Sequence, residues 1–539
     1  SSTHKRWVER IRETGIISKK YPHIRFCFTS RPTAFEREVD YARVIRLNET
    51  GDVPTHMLFD HYICAYNIKA RHIGWLKYSL TSPLALKLFC ELNENQTISL
   101  SSRTEVSMTE LWRKKVEKID REFCEKVGCR PQNQYILKTI AHLAEWFIKS
   151  SCKEHSTLVT ELASSLSTSA ENAEEIVTHL DNYGVLHCYC EHGTGISPDK
   201  YYYSPGIQGY FDYASAITLL DRYEKPENID FSEHETMPTN TLNSLAIISI
   251  QKYGYLLTRN STINSVLSEW AIQELQFFAL LHTDYATAEQ FKARSLEIMS
   301  ECAEGLITIT NHLVLPLARD SEHPLGVKLL DEFLSSFEKP AQRDILWSVP
   351  GYLNKSEGKR WNQDGSCEIE DSAYLLESDD PYDGLPVVYA WVLSSVNNNY
   401  RKLCRGRLMD WAQKAPEEFY KLFLKFSVVN DPQIKSDLFS ILMCLVYEGA
   451  DNKLVKYVSG WILENILHPE KIDNHRDISI RYYCIAIVKR AEMLGILTSA
   501  DLVHYLPPYT ATNNHITLNK DALIGTRMGG YSAINYDLA

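Results

Sequence analysis

Gly184-Val185-Leu186-His187-Cys188-Tyr189-Cys190 and Lys200-Tyr201-Tyr202-Tyr203-Ser204 are two short runs separated by Gly193-Thr194-Gly195-Ile196-Ser197-Pro198-Asp199. Aromatic and aliphatic residues on either side of a Gly, Ser, Pro and Asp cluster are the pattern of a strand, a turn and a returning strand. Three helical patterns precede this hairpin, from Ile136 to Ile148, from Ser156 to Leu166 and from Ala170 to Tyr183. Three helices closed by a terminal hairpin predict a winged helix. With a last helix from Gln208 to Asp221, residues 133–222 make one domain.

Working back toward the start, residues 54–132 read as a helical domain. Thr81-Ser82-Pro83-Leu84-Ala85-Leu86-Lys87-Leu88-Phe89-Cys90-Glu91 has a hydroxyl residue ahead of a Pro suited to a first helical position, then good helix formers. Residues 1–53 have a different character. Ile24-Arg25-Phe26-Cys27 leads into Phe28-Thr29-Ser30-Arg31-Pro32, an apolar run without helical period that predicts a short strand buried on both faces. Val44-Ile45-Arg46-Leu47-Asn48 is expected to lie beside it. The carboxyl ends of strands in doubly wound sheets carry ligand-facing groups, so Arg31 is expected either to meet a phosphate there or to be a surface Arg in a loop pinned by Pro32. The amphipathic opening Trp7-Val8-Ile11 and the absence of an initiator Met make the chain read as an excerpt from a longer protein.

Toward the end, residues 223–539 are almost wholly helical in pattern. Leu438, Ile441, Leu442 and Leu445 recur at helical spacing, and Leu454, Val458, Trp461, Ile462 and Ile466 repeat it. Amphipathic helices that each need a neighbour imply stacked pairs, here without a fixed repeat length, hence an irregular α-solenoid. Lys355 to Gly384 is polar, acidic and rich in Asp and Gly, and is expected to be a long loop. The fold class is therefore mainly α: the end of an α/β core, a helical domain, a winged helix and the solenoid.

A chain of 539 residues is too long for one hydrophobic core. Its net charge of −12 argues against a chain devoted to neutralising a nucleic-acid backbone. Thirteen cysteines scattered through apolar segments lack a disulfide framework, which points to a cytoplasmic setting. No apolar run is long enough to span a bilayer, so no membrane contact is expected.

The order of these pieces resembles that of STAND-type NTPases of the NACHT class. Phe28-Thr29-Ser30-Arg31-Pro32 resembles the family's sensor strand, whose Arg reaches the terminal phosphate of the nucleotide. Thr81-Ser82-Pro83-Leu84-Ala85-Leu86 is similar to the helical-domain motif whose Pro lies against the adenine. Ile207-Gln208-Gly209-Tyr210-Phe211 is similar to the family's Ile-Gln-Glu-Phe-Leu segment. Three residues before that Ile the family often has a His that touches the β-phosphate of ADP. Ser204 stands there instead, which leaves ADP locking by the winged helix open.

Further on, His323-Pro324-Leu325-Gly326, Phe333-Leu334, Arg343-Asp344-Ile345-Leu346-Trp347-Ser348, Ala390-Trp391-Val392-Leu393-Ser394-Ser395 with Asn398, and Val429-Asn430-Asp431-Pro432 resemble segments of the bacterial antiviral, Avs-type, members. The resemblance implies ATP and Mg2+ as cofactors, with Arg31, Pro83 and Ser204 around the nucleotide. It also implies a homo-oligomer, expected to be a tetramer, an N-terminal effector outside this chain, and a helical region that recognises a phage protein of the terminase or portal class.

Against catalysis by these residues alone, no Gly-x4-Gly-Lys-Ser/Thr occurs, so the loop that cradles phosphates is missing. Leu329-Leu330-Asp331-Glu332 imitates the acidic end of a Walker B strand but sits in a helical pattern. His187-Cys188-Tyr189-Cys190-Glu191-His192 offers four soft ligands in six residues. On a strand Cys188 and Cys190 share one face while His187 points away, so a wing strand without metal is the preferred reading.

Tyr201-Tyr202-Tyr203, the basic stretch Arg401 to Arg407 and Trp411 raise a DNA-binding transcriptional regulator as the rival. The helix Ala170 to Tyr183 opposes it with Glu171, Glu174, Glu175 and Asp181, a face that repels phosphates. A passive helical scaffold is a third alternative. If the helical region docks a protein, Trp361, Tyr374, Tyr382 and Trp391 are the candidate anchors, with Trp391 expected in the core.

Overall fold

The computed structural model describes residues 13–24, 26, 55–70, 76–80, 82–100, 103–130, 133–192, 198–234, 237–348, 384–396, 398–471 and 477–506. Arg31, the rest of its expected strand from Cys27 onward and the run Val44–Asn48 lie outside this set, as do residues 355–383 with Trp361, Tyr374 and Tyr382. The described residues are mainly helical, with two small sheets. The chain divides into two compact units, Ser1–Phe333 with Tyr382–Leu385, and Leu334–Pro381 with Pro386–Ala539.

In the first unit α1 (Thr55–Ala65), α2 (Leu76–Ser79), α3 (Pro83–Leu92) and α4 (Met108–Val127) surround a minimal parallel pair, β1 (Lys69–Ala70) and β2 (Thr97–Ile98). α3 begins where the sequence indicates. The Ser82 hydroxyl accepts the Ala85 N–H at 3.1 Å, and Pro83 occupies a position whose N–H would be unpaired anyway. Ala85, Leu86, Phe89 and Cys90 turn inward. α4 starts in a capping-box sequence, with Ser107 accepting from the Glu110 N–H, and stops at Gly128 in the left-handed region.

The next elements are α5 (Tyr135–Lys149), β3 (Lys153–Glu154), α6 (His155–Ser165), α7 (Ala170–Asn182), β4 (Leu186–Glu191), β5 (Lys200–Pro205) and α8 (Gln208–Tyr223). The sheet is antiparallel in the order β3-β5-β4, which with three preceding helices and a closing hairpin is the element order of a winged helix. β3, like β1 and β2, is a strand the sequence does not foretell, because two residues are too few to carry a periodicity. β4 starts two residues later than expected: Gly184 adopts φ +67 and belongs to the turn after α7. Ile140, Leu143, Leu158, Ile176, Leu180 and Phe211 fill the core between the three helices, the sheet and α8.

The chain then continues through α9 (Thr239–Tyr253), α10 (Glu269–Leu281), α11 (Tyr285–Glu301) and α12 (Ala303–Ile309). A π turn over Thr310–Val314 leads into α13 (Leu315–Leu317). Pro316 has no N–H for the carbonyl of His312 and crowds it, which is reason enough for the wider turn. α9 packs on α8, with the Thr241 hydroxyl 3.3 Å from Asp212.

α14 (Val327–Ser335), α15 (Pro340–Leu346), α16 (Leu385–Val392), α17 (Asn398–Lys414), α18 (Pro416–Ser427), α19 (Pro432–Glu448), α20 (Asn452–Asn465) and α21 (Ile478–Met493) follow. In the second unit α18 packs on α17 and α19, and α21 packs on both α19 and α20. α19, α20 and α21 start at acidic caps: Asp431 and Asp477 each accept two backbone N–H groups of the first turn, and Asp451 accepts one. Leu438, Ile441, Leu442 and Leu445 are all buried, as are Leu454, Val458, Ile462 and Ile466. Trp461 is half-buried against Phe423, with ring centroids 5.1 Å apart. Among the described residues no helix is long and apolar enough to cross a membrane.

Candidate functional site

Helix α4 packs on α3 as well as on α5 and α8. Lys115 of α4 reaches back to α3, its Nζ 2.8 Å from Glu91 Oε2. Lys118 Nζ lies 3.4 Å from the Glu91 carbonyl. Lys115 is also 5.8 Å from the centre of the Tyr183 ring at the end of α7. One turn earlier Trp112 packs on Tyr210 of α8, ring centroids 4.5 Å apart. Gly209 lets that happen: a Cβ there would stand 2.4 Å from Trp112 Cζ2. Tyr210 is fully buried at this contact, and burial, with the Glu91 charge adding to it, pushes its phenol up.

Two further ties run from α4. Its buried Asp120 accepts the Ile136 N–H at 2.9 Å and so caps α5 from outside that helix. Burial raises the Asp120 pKa, and that backbone hydrogen bond holds the rise down. His179 of α7 places Nε2 3.1 Å from the Ile119 carbonyl. These contacts tie α3, α4, α5, α7 and α8 together, so moving α3 against α4 would strain the Lys115–Glu91 pair.

Of the residues expected around a nucleotide, Pro83 heads α3, Ser204 lies on β5, and Arg31 is outside the described residues. No hydrogen bond, ion pair or ring contact joins Pro83 to Ser204 among the described residues. The register sets His187 directly opposite Ser204, on the same outer face as the stacked Tyr189 and Tyr202, whose rings are 5.5 Å apart. Only strand pairing brings that imidazole beside Ser204; spacing in the sequence carries no sign of it. On the inner face Cys188 pairs with Tyr203, whose hydroxyl is pushed up first by burial and then by its hydrogen bond to the Cys188 thiol. Leu329-Leu330-Asp331-Glu332 lies within α14 with both leucines buried and Glu332 paired to Lys292 at 2.6 Å, so it ends no strand.

The face a winged helix presents to DNA is acidic here. Glu171 and Glu174 of α7 are exposed, Glu174 lies 2.9 Å from His155 Nε2, and Glu175 pairs with Lys126. The chain is expected to shift no duplex DNA even at about 50 mM salt, where phosphate contacts are strongest. A gel-shift series over rising salt checks this, and a tight complex that dissolves as salt rises would favour the regulator.

In the second unit, three of the motif segments converge. Arg343 of α15 is fully buried; its Nη2 meets Asp431 Oδ2 and its Nη1 meets Asn430 Oδ1, both at 2.8 Å. Its guanidinium lies 5.3 Å from the Trp391 ring centre. Trp347 Nε1 donates to the Trp391 carbonyl at 3.0 Å, and Ser348 and Ser394 share a hydrogen bond at 3.2 Å. Asn430 Nδ2 donates to the carbonyls of Phe337 and Glu338. This cluster is a structural keystone, and Trp391, 0 % exposed, belongs to it and not to any docking face. Among the described residues of this unit the exposed aromatics are Tyr447, Tyr457 and Tyr482, at 48 %, 56 % and 64 % exposure on α19, α20 and α21. Sequence reasoning passed over them because their positions differ from core positions only in where their helices face.

Comparison with family models, with curated proteins and with solved structures gives no match.

Proposed function

We propose that the chain is the sensor-side part of an Avs-like antiviral STAND ATPase that couples recognition of a phage protein, terminase or portal in class, to ATP-dependent oligomerisation and release of an N-terminal effector. The observation that carries the reading is the joint on α4. It links α3, which begins at the Thr81-Ser82-Pro83 motif, to α8, which begins at the Ile207-Gln208-Gly209 motif, through the Lys115–Glu91 pair and the Trp112–Gly209 contact.

ATP with Mg2+ sits among Arg31, Pro83 and the Ser204 strand in this reading, its phosphate-binding loop supplied by residues preceding this chain. A nucleotide-dependent shift at the first turn of α3 then has a stiff route to the winged helix. His187, opposite Ser204, takes the part of the family's phosphate-touching His. Tyr447, Tyr457 and Tyr482 present the aromatic area a protein target needs. The assembled form is a homo-oligomer, a tetramer, working in the cytoplasm.

The test uses the full-length protein. Arg31→Ala removes a charge-assisted contact of roughly 1.5–3 kcal/mol from the ATP-bound state, so target-triggered activity falls by about 10–150-fold while the circular dichroism spectrum is retained. Wild-type activity in Arg31→Ala, or no response of the wild type to any terminase or portal, sinks the proposal. The acidic surface of α7 counts against the transcriptional regulator as a second reading.

A further inference from the structure

The antiparallel register of β4 and β5 ends at Glu191 opposite Lys200, so the next facing positions are His192 and Asp199. Cys190 lies two residues before His192 and shares its face of the sheet. The three side chains converge there. Cys190 Sγ is 3.7 Å from His192 Nδ1, His192 Nδ1 is 3.3 Å from Asp199 Oδ2, and one ligand atom of each residue lies within 4.8 Å of the others. The geometry points to a zinc site at the mouth of the β4–β5 hairpin, with Cys190, His192 and Asp199 as protein ligands and a fourth position open to water.

The distances argue for it. Around a tetrahedral zinc with Zn–S of about 2.3 Å and Zn–N or Zn–O of about 2.0–2.1 Å, sulfur and nitrogen stand about 3.5 Å apart and nitrogen and oxygen about 3.3 Å. The observed separations, 3.7 and 3.3 Å, are close to both. A thiolate, an imidazole and a carboxylate are a donor set for zinc and not for Mg2+ or Ca2+, which take oxygen alone. The soft-ligand run His187 to His192 therefore divides. Cys188 is engaged with Tyr203, His187 faces the other side, and the missing ligand comes from Asp199, across the strand pair. Bound there, the ion ties the ends of the two wing strands together and fixes the entry and exit of the wing. The site requires neither nucleotide nor phage protein.

The chain, stripped with chelator under reducing conditions, is titrated with Co2+ and with Zn2+. One equivalent of Co2+ should produce a thiolate-to-cobalt charge-transfer band that Zn2+ abolishes. Cys190→Ser should remove the band, and His192→Gln and Asp199→Asn should each weaken metal affinity by more than the roughly 10–100-fold that loss of an outer-sphere partner costs. Cys188→Ser is the control for the other cysteines and should keep both band and affinity. All these side chains are partly or largely exposed, so the variants fold. A band of equal strength in Cys190→Ser, or metal uptake by the wild type no greater than that of the Cys190→Ser/His192→Gln/Asp199→Asn variant, overturns the site.

Discussion

Arg343→Met is expected to destabilise the second unit by about 3–5 kcal/mol, the cost of breaking a buried ion pair from one side. The guanidinium is fully buried and holds Asp431 and Asn430 at 2.8 Å each, so its removal strands a carboxylate that is 5 % exposed. Asp431 has a second duty: its Oδ1 accepts the N–H groups of Gln433 and Ile434 and caps α19. The carboxylate therefore cannot swing out to water without uncapping that helix. Asp431→Asn keeps a capping oxygen and drops the charge, so Arg343→Met/Asp431→Asn should regain part of the loss. Against a typical whole-protein stability of about 5–15 kcal/mol the single change is severe. Urea unfolding followed by tryptophan fluorescence reads it directly, since Trp391 and Trp347 both belong to the cluster. A loss below about 1 kcal/mol would mean that the pair is solvated and the keystone assignment mistaken.

Trp112→Ala should cost about 3–5 kcal/mol in the first unit by leaving a cavity between α4 and α8. Gly209→Ala attacks the same contact from the other side. Its new methyl group would stand 2.4 Å from the indole, and overpacking of this kind costs about 1–3 kcal/mol. The two changes are not independent, because the ring atom that the added methyl group would strike is absent once Trp112 is truncated. In the Trp112→Ala background, Gly209→Ala should therefore cost less than about 0.5 kcal/mol, and the cycle should show a coupling of roughly 1 kcal/mol or more. Additive losses would place the strain of Gly209→Ala elsewhere. If the proposed function holds, both single variants should also loosen the link between α3 and α8 in the full-length protein and weaken target-triggered activity out of proportion to their melting temperatures.

What could be read directly from the residues is what lies within a turn or two of its own cause. Ser82 ahead of Pro83, and Asp431 ahead of Pro432, mark helix starts because a cap and a preset φ act on the next three residues. The 3.6-residue spacing of Leu438, Ile441, Leu442 and Leu445 marks a buried face for the same local reason. So the mainly helical class, the helices at 135–149, 155–165 and 170–182 and the hairpin after them were legible, to within a residue or two at most ends.

The tertiary structure decided everything that depends on partners far apart in the chain. Arg343 and Asp431 are 88 residues apart, Trp112 and Gly209 belong to different domains of the sequence reading, and Asp120 caps a helix 16 residues later. None of these pairings leaves a periodic trace. The ligand set at the wing shows the limit most clearly. Strand alternation already set His187 apart from Cys188 and Cys190, but only the register, which sets Asp199 opposite His192, brings in the ligand from the neighbouring strand. Local signals arise from backbone geometry that every chain shares, whereas register and long-range pairing are chosen by how the whole apolar surface packs, and that choice is made only once the chain has folded.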